Sequence, residues 1–230
     1  MNDEMKDAGE PLWAVMGMLF RSHPWHGVPI GDEAPEIVNT YIEMTPDDTV
    51  KYELDKVTGI LKMDRPQLYS SACPVLYGLV PQTYCGERVA DLCMTRNATT
   101  GIVGDGDPLD ICVLSEKHIN HGNVLMRARP IGGLRMVDDN EADDKIIAVM
   151  QGDAAYERYE EIADCPASLL TRLRHYFLTY KQSPDAAKKE CEITHVYDKK
   201  EAHDVIRRSQ EDYKTKFDGL EKMLGQALRR

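Results

Sequence analysis

The stretch Gly104-Asp105-Gly106-Asp107-Pro108-Leu109-Asp110-Ile111-Cys112-Val113 decides how this chain is read. Three carboxylates crowded into six residues repel one another, and a chain gains nothing structurally from that unless a cation sits between them. Gly and Pro bend the backbone so that Asp105 and Asp107 can converge with Asp110, which begins a strand over Leu109–Leu114. On that strand Asp110 shares a face with Cys112 and Leu114. It therefore points at solvent or into a barrel interior, where an unpaired carboxylate is costly. An acidic surface turn accounts for any one of these Asp residues. A calcium loop is a nearer rival, with Asp105, Asp107 and Glu116 at its positions 1, 3 and 12, but Leu109 stands at position 5 and Asp110 where the glycine belongs. The joint pattern D-x-D-P-x-D points instead to magnesium held by carboxylates and water.

Further along, Asp138, Asp139, Glu141, Asp143 and Asp144 precede Lys145 and the strand Lys145–Met150. Alone this run reads as a solvated loop. Together with the first cluster and an inward Glu53 it supplies oxygen ligands for several divalent ions. Lys51, Arg65, Lys145 and Lys181 lie on or beside strand and helix ends, with Tyr77 and Tyr180 as hydroxyl donors. Metal, cations and hydroxyls together are what a phosphorylated substrate requires. Neither GxxxxGK[ST] nor GxGxxG occurs, so nucleotide binding by those routes is unsupported.

Working outward, Thr49–Leu54 alternates, with Val50, Tyr52 and Leu54 on one face and Lys51 and Glu53 on the other. A turn over Asp55–Gly59 leads into Ile60–Arg65, and Asn123–Arg129 reads as a further strand. Short strands separated by turns suggest a small antiparallel barrel rather than a parallel sheet. Helices come late. One opens at Cys165-Pro166 and carries Leu169, Leu170, Leu173, Tyr176, Phe177 and Tyr180 at helical spacing. A second runs from about Ala202, with Ile206, Tyr213, Phe217, Leu220 and Leu224 as its stripe. Both stripes read as core packing.

Composition sets the bounds. The 230 residues suit one domain, residues 1–230, with 1–22 an N-terminal extension and 201–230 the C-terminal helix. A net charge of −11 argues against nucleic acid as partner. The longest apolar run, Leu12–Phe20, is about half a membrane span. It follows an acidic rather than a basic stretch, so it reads as a packing or subunit-contact element. Six cysteines without a CxxC pair indicate reduced thiols in the cytoplasm. His23 with His26, and His118 with His121, lack cysteine partners at zinc-finger spacing.

The string D-G-D-P-L-D-I is preceded by V-K-Y-E-L-D-K-x-T-G and D-R, and followed by E-A-D-D-K-I-I-A-V and F-L-T-Y-K. In that order, over residues 23 to 181, the chain resembles the soluble, magnesium-dependent (family I) inorganic pyrophosphatases, and H-P-W-H and T-Y-C-G are most similar to their plant and chlamydial branch. The resemblance implies an α+β fold, mainly β: a five-stranded OB-type barrel with flanking and C-terminal helices. It implies hydrolysis of pyrophosphate to two orthophosphates with several Mg2+ ions, Mn2+ being a possible substitute, and a homo-oligomer, hexameric in bacteria and dimeric in eukaryotes. By motif, Asp105, Asp110 and Asp143 match ligands of the two metals that hold the attacking water, and Asp138 with Asp143, and Glu53, match ligands of metals arriving with substrate. Asp107 matches the general base, while Lys51, Arg65, Tyr77, Lys145, Tyr180 and Lys181 match phosphate-binding groups.

Two departures stand out. Cys73-Pro74-Val75-Leu76-Tyr77-Gly78 replaces the Y-P-x-N-Y-G of many relatives, and a longer loop, Cys85–Gly104 with Arg88, Arg96 and Asn97, reads as an insertion. A magnesium-dependent enzyme acting on an organic diphosphate, and a silent cation-binding scaffold, are the competing readings.

Overall fold

A computed structural model describes residues 22–68, 70–181 and 191–227. The Leu12–Phe20 segment and the extension to which it belongs lie outside these residues, apart from residue 22, and so do the side chains of Leu220 and Leu224. Five strands close a ring: β1 (Val38–Met44), β4 (Leu76–Leu79), β6 (Asp110–Leu114), β9 (Lys145–Met150) and β7 (Val124–Asp138), which returns to β1. The expected hairpin is present as β2 (Val50–Leu54) paired with β3 (Leu61–Pro66). Short strands β5 (Val103–Gly104) and β8 (Glu141–Ala142) extend the sheet, and β10 (Cys191–Asp198) pairs with β7.

The barrel is not wholly antiparallel, because β6 and β9 run parallel, as do β5 and β8. A parallel pair buried on both faces gives continuous apolar runs rather than alternation. That is what Ile111–Leu114 and Ile146–Val149 are: every residue in both is buried. Alternate residues go to two cores. Val38, Ile42, Leu76, Ile111, Val113 and Ile146 pack with α1 (Glu87–Asn97) and α3 (Lys199–Ala227). Tyr77, Cys112, Leu114, Leu134, Ile147 and Val149 pack with α2 (Ala167–Thr179).

Strand β7 continues well past the expected end at Arg129. Pro130, Gly132 and Gly133 resemble breakers, but Pro130 and Gly132 flank an irregularity in the β7–β9 register, where a missing N–H donor and a bend are tolerated, and Gly133 pairs regularly with Ile146. Glycine is needed at 133 for a different reason: a Cβ would come within 2.4 Å of the Tyr197 ring on β10.

The Cys85–Gly104 stretch is corrected from loop to helix. α1 buries Val89, Leu92 and Cys93, and its N-terminus is satisfied by Asp212 of α3, whose carboxylate accepts from the N–H groups of Gly86, Arg88 and Val89. Arg88 pairs with Asp212 at 2.9 Å and Asn97 accepts from Thr194, so these side chains are tied down. The helix expected from Cys165-Pro166 begins one residue later, with Pro166 at the cap, and the C-terminal helix starts at Lys199, three residues before Ala202. All six cysteines are buried and unpaired. Among the described residues, no helix is long and apolar enough to cross a membrane.

Candidate active site

One end of the barrel opens into a cavity of about 180 Å³. The Asp105–Asp107 loop reaches it because its backbone is pinned: Cys85 N–H donates to Asp107 O at 2.8 Å, and Gly106, at φ +76°, donates to Cys85 O at 3.1 Å. A left-handed residue between two aspartates is what glycine supplies cheaply. Asp107 N–H donates to Asp105 Oδ1 at 2.9 Å. The parallel register then sets Asp110 of β6 directly beside Lys145 of β9. Lys145, 2% exposed, forms ion pairs with both Asp110 and Asp143, and Tyr77 Oη donates to Asp110 Oδ2 at 2.6 Å.

The hairpin brings Lys51 and Glu53, joined at 2.8 Å, and its turn brings Lys56 onto Asp107. Asp138 pairs with Lys181 and accepts from the Cys191 thiol at 3.2 Å. Lys51, Glu53, Tyr77, Asp105, Asp107 and Asp110 thus share one wall set with Asp138, Asp143, Lys145, Tyr180 and Lys181. Arg65 stands beside this set: its Nη1 donates to Asp64 Oδ2 at 2.7 Å and its guanidinium lies 5.7 Å from the Tyr180 ring centre. The second acidic run divides. Asp138, Glu141 and Asp143 line the cavity, whereas Asp144 turns away to a buried pair with Arg135.

Sequence reasoning passed over Glu43 and Lys56. Glu43, 5% exposed on β1, lines the cavity and accepts from Leu54 N–H at 2.7 Å. A lone acid in the apolar run Tyr41–Met44 was the available signal. Lys56 closes the V-K-Y-E-L-D-K motif, and its place at the hairpin turn is the signal for it.

The electrostatics follow from crowding under burial. Burial, and then the neighbouring Asp143, push the Asp105 carboxyl up to about 9, and burial raises Asp110 despite Lys145. Burial alone would lower Lys145, but the Asp110 and Asp143 carboxylates outweigh it and hold the amine well above its ordinary range. Burial takes Glu43 from 4.5 to about 8, against the Leu54 N–H. A folded state that keeps a proton the unfolded chain has released loses stability as pH rises through that window. The metal-free protein should therefore lose stability between about pH 5 and 8, with Glu43 contributing up to about tenfold in the folding constant per pH unit. E43Q should flatten that slope in denaturant titrations run in chelator; an unchanged slope would contradict the assignment.

Among the described residues, no three His, Cys, Asp or Glu side chains stand as a ready-made cation cage; lysines sit on the carboxylates instead. The donor set nevertheless fits a hard divalent ion. It is all oxygen, and Asp105 is a carboxyl whose ionisation a neighbouring cation would favour.

Comparisons with known proteins agree with this geometry. Residues 40–214 match the family model described as inorganic pyrophosphatase. The chain belongs to the inorganic pyrophosphatase family. It is 52% identical over 199 residues to an inorganic pyrophosphatase of Chlamydia caviae, covering 85% of this chain and 92% of the relative. Soluble inorganic pyrophosphatase 1 of Arabidopsis thaliana is 36% identical over 192 residues, covering 84% and 80% of the two chains. The crystal structure of inorganic pyrophosphatase from Thermus thermophilus superposes with a TM-score of 0.70 at 30% identity, covering 84% of this pyrophosphatase-family chain and 99% of the other. The five-stranded ring is thus the pyrophosphatase OB-type barrel, and the likeness to the chlamydial and plant branch is borne out.

Proposed function

We propose that this chain hydrolyses inorganic pyrophosphate to two orthophosphates, using several Mg2+ ions for which Mn2+ can substitute. One observation carries the reading: a single cavity joins Asp105, Asp110, Asp138 and Asp143 to a second set made of Lys51, Lys145, Lys181 and two tyrosines. Neither set alone would serve, since the acids repel a pyrophosphate and the lysines cannot activate water.

Asp105, Asp110 and Asp143 would hold the ions nearest the attacking water, and Asp138, Asp143 and Glu53 those that accompany substrate. When bound, these ions supply Lewis acidity that makes water a nucleophile near neutral pH and neutralise charge on the transferring phosphoryl group. Asp107 accepts the proton released by the attacking water. Its pair with Lys56 keeps it on the cavity side of the loop. Lys51, Lys145 and Lys181 bind phosphate oxygens, Tyr77 and Tyr180 donate hydroxyl hydrogen bonds, and Arg65 contributes from beside Tyr180. Binding of the ions requires Lys51, Lys145 and Lys181 to leave Glu53, Asp110 with Asp143, and Asp138, which frees the same amines for phosphate. Six buried unpaired thiols suit a reducing, cytoplasmic setting.

The test is phosphate release from pyrophosphate with Mg2+, with chelator, and with Mg2+ restored. Release should vanish in chelator and return with the metal. Release from organic diphosphates alone would replace the substrate assignment, and no release with any divalent ion would leave a cation-binding scaffold.

A further inference from the structure

Behind the cavity lies a salt bridge sealed in the core. Arg135 is 0% exposed and Asp144 2%. Arg135 Nε donates to Asp144 Oδ1 at 3.0 Å, and its Nη2 lies 3.0 Å from Asp144 Oδ2 and 3.1 Å from Glu201 Oε1. Stability alone does not account for such a pair. Removing two ions from water costs several kcal/mol each, and well-packed apolar residues in their place are often neutral or better.

What the pair is attached to supplies a reason. Asp144 stands between Asp143 and Lys145 in the two-residue link from β8 to β9, and its side chain turns to Arg135 while those of both neighbours line the cavity. Anchoring Asp144 on the rear face therefore aims Asp143 and Lys145 into the cavity, which both of them line. Arg135 lies on β7, three residues before Asp138, and its neighbour Leu134 is the register partner of Lys145. The ion pair thus clamps the end of β7 to the start of β9, the two segments that deliver Asp138 and Asp143. Its outer end is braced as well, since Glu201, in the first turn of α3, also pairs with Arg96 of α1 at 3.3 Å.

We propose that Arg135 and Asp144 are positioning residues for the cation-binding carboxylates: through the backbone they fix the spacing of Asp138 and Asp143 that a divalent ion needs, without touching substrate. This rests on the reading that the cavity binds Mg2+, and it concerns how tightly that ion is held.

Two variants test it. R135M/D144L replaces both charges with apolar groups, leaving Glu201 its contact with Arg96, and D144N keeps the shape of the side chain while removing its charge. Each is compared with wild type by calorimetric titration of Mg2+ without substrate, by melting in chelator, and by kcat at rising Mg2+. The double variant should melt within a few degrees of wild type yet bind Mg2+ about 10- to 100-fold more weakly, the range seen when residues orienting metal ligands are lost. Its turnover should recover as Mg2+ is raised, and D144N should shift the same way by less. A folded variant with wild-type Mg2+ affinity overturns the positioning role and leaves the proposed activity standing. A wild-type protein that turns over pyrophosphate but shows no Mg2+ binding overturns the cation reading itself. Should the double variant not fold, D144N is judged by the same two results.

Discussion

Asn in place of Asp107 is expected to lower pyrophosphate turnover by about two to four orders of magnitude, the usual contribution of a positioned acid or base, while leaving the melting temperature nearly unchanged. The two halves of this expectation have separate causes. The Asp107 side chain is 39% exposed and its partner Lys56 is 43% exposed, so their ion pair contributes little to folding. Asn can still accept a hydrogen bond from Lys56, but it cannot take a proton from water. The measurement is kcat at saturating Mg2+, with melting curves run alongside. Near-normal turnover would remove Asp107 from the reaction and leave the bound ions to manage the proton.

Lys145→Met should strongly destabilise the metal-free fold. It strips the amine from two carboxylates at once, in a site where the lysine is 2% exposed. Breaking a buried ion pair by removing one partner costs about 3–5 kcal/mol, because a charge is left uncompensated. For a chain of this size that corresponds to a melting point lower by on the order of 10 °C. Mg2+ should return most of that loss, since a divalent ion between Asp110 and Asp143 does what the ammonium did. Melting curves in chelator and in Mg2+ separate the possibilities. An equal loss in both would mean that no cation settles between these two aspartates. Turnover should stay low even with Mg2+, because the phosphate has lost a cation that nothing else in the wall replaces.

Much of this site was legible in the chain because its chemistry is locally expensive. Asp105, Asp107 and Asp110 crowd into a Gly/Pro loop, a pattern that burial alone would not produce, and alternation in β2 sends Lys51 and Glu53 to one face. Structure that depends on distant partners was not legible. Helix α1 lacks a capping side chain of its own at Gly86 and borrows Asp212, so its N-terminus has no local signature. No strand was expected where β10 lies; it pairs with β7 through an irregular register, and its alternation is broken. The parallel partnership of β6 and β9 is written in two runs too uniformly apolar to show a period. In sequence Asp144 is one more charge of the acidic run, whereas the Arg135 that claims it lies nine residues upstream on β7.

That parallel pairing also fixes when the site comes into being. Asp110 and Lys145 meet only once β6 and β9 are in register, a contact between residues 35 apart in sequence that are separated along the chain by the whole of β7. Such non-local pairings form late, after the entropy of loop closure has been overcome. A refolding chain can therefore hold its helices and its β2–β3 hairpin while remaining unable to assemble the cavity. Activity is therefore expected to return no earlier than the barrel closes in a refolding experiment followed by both signals.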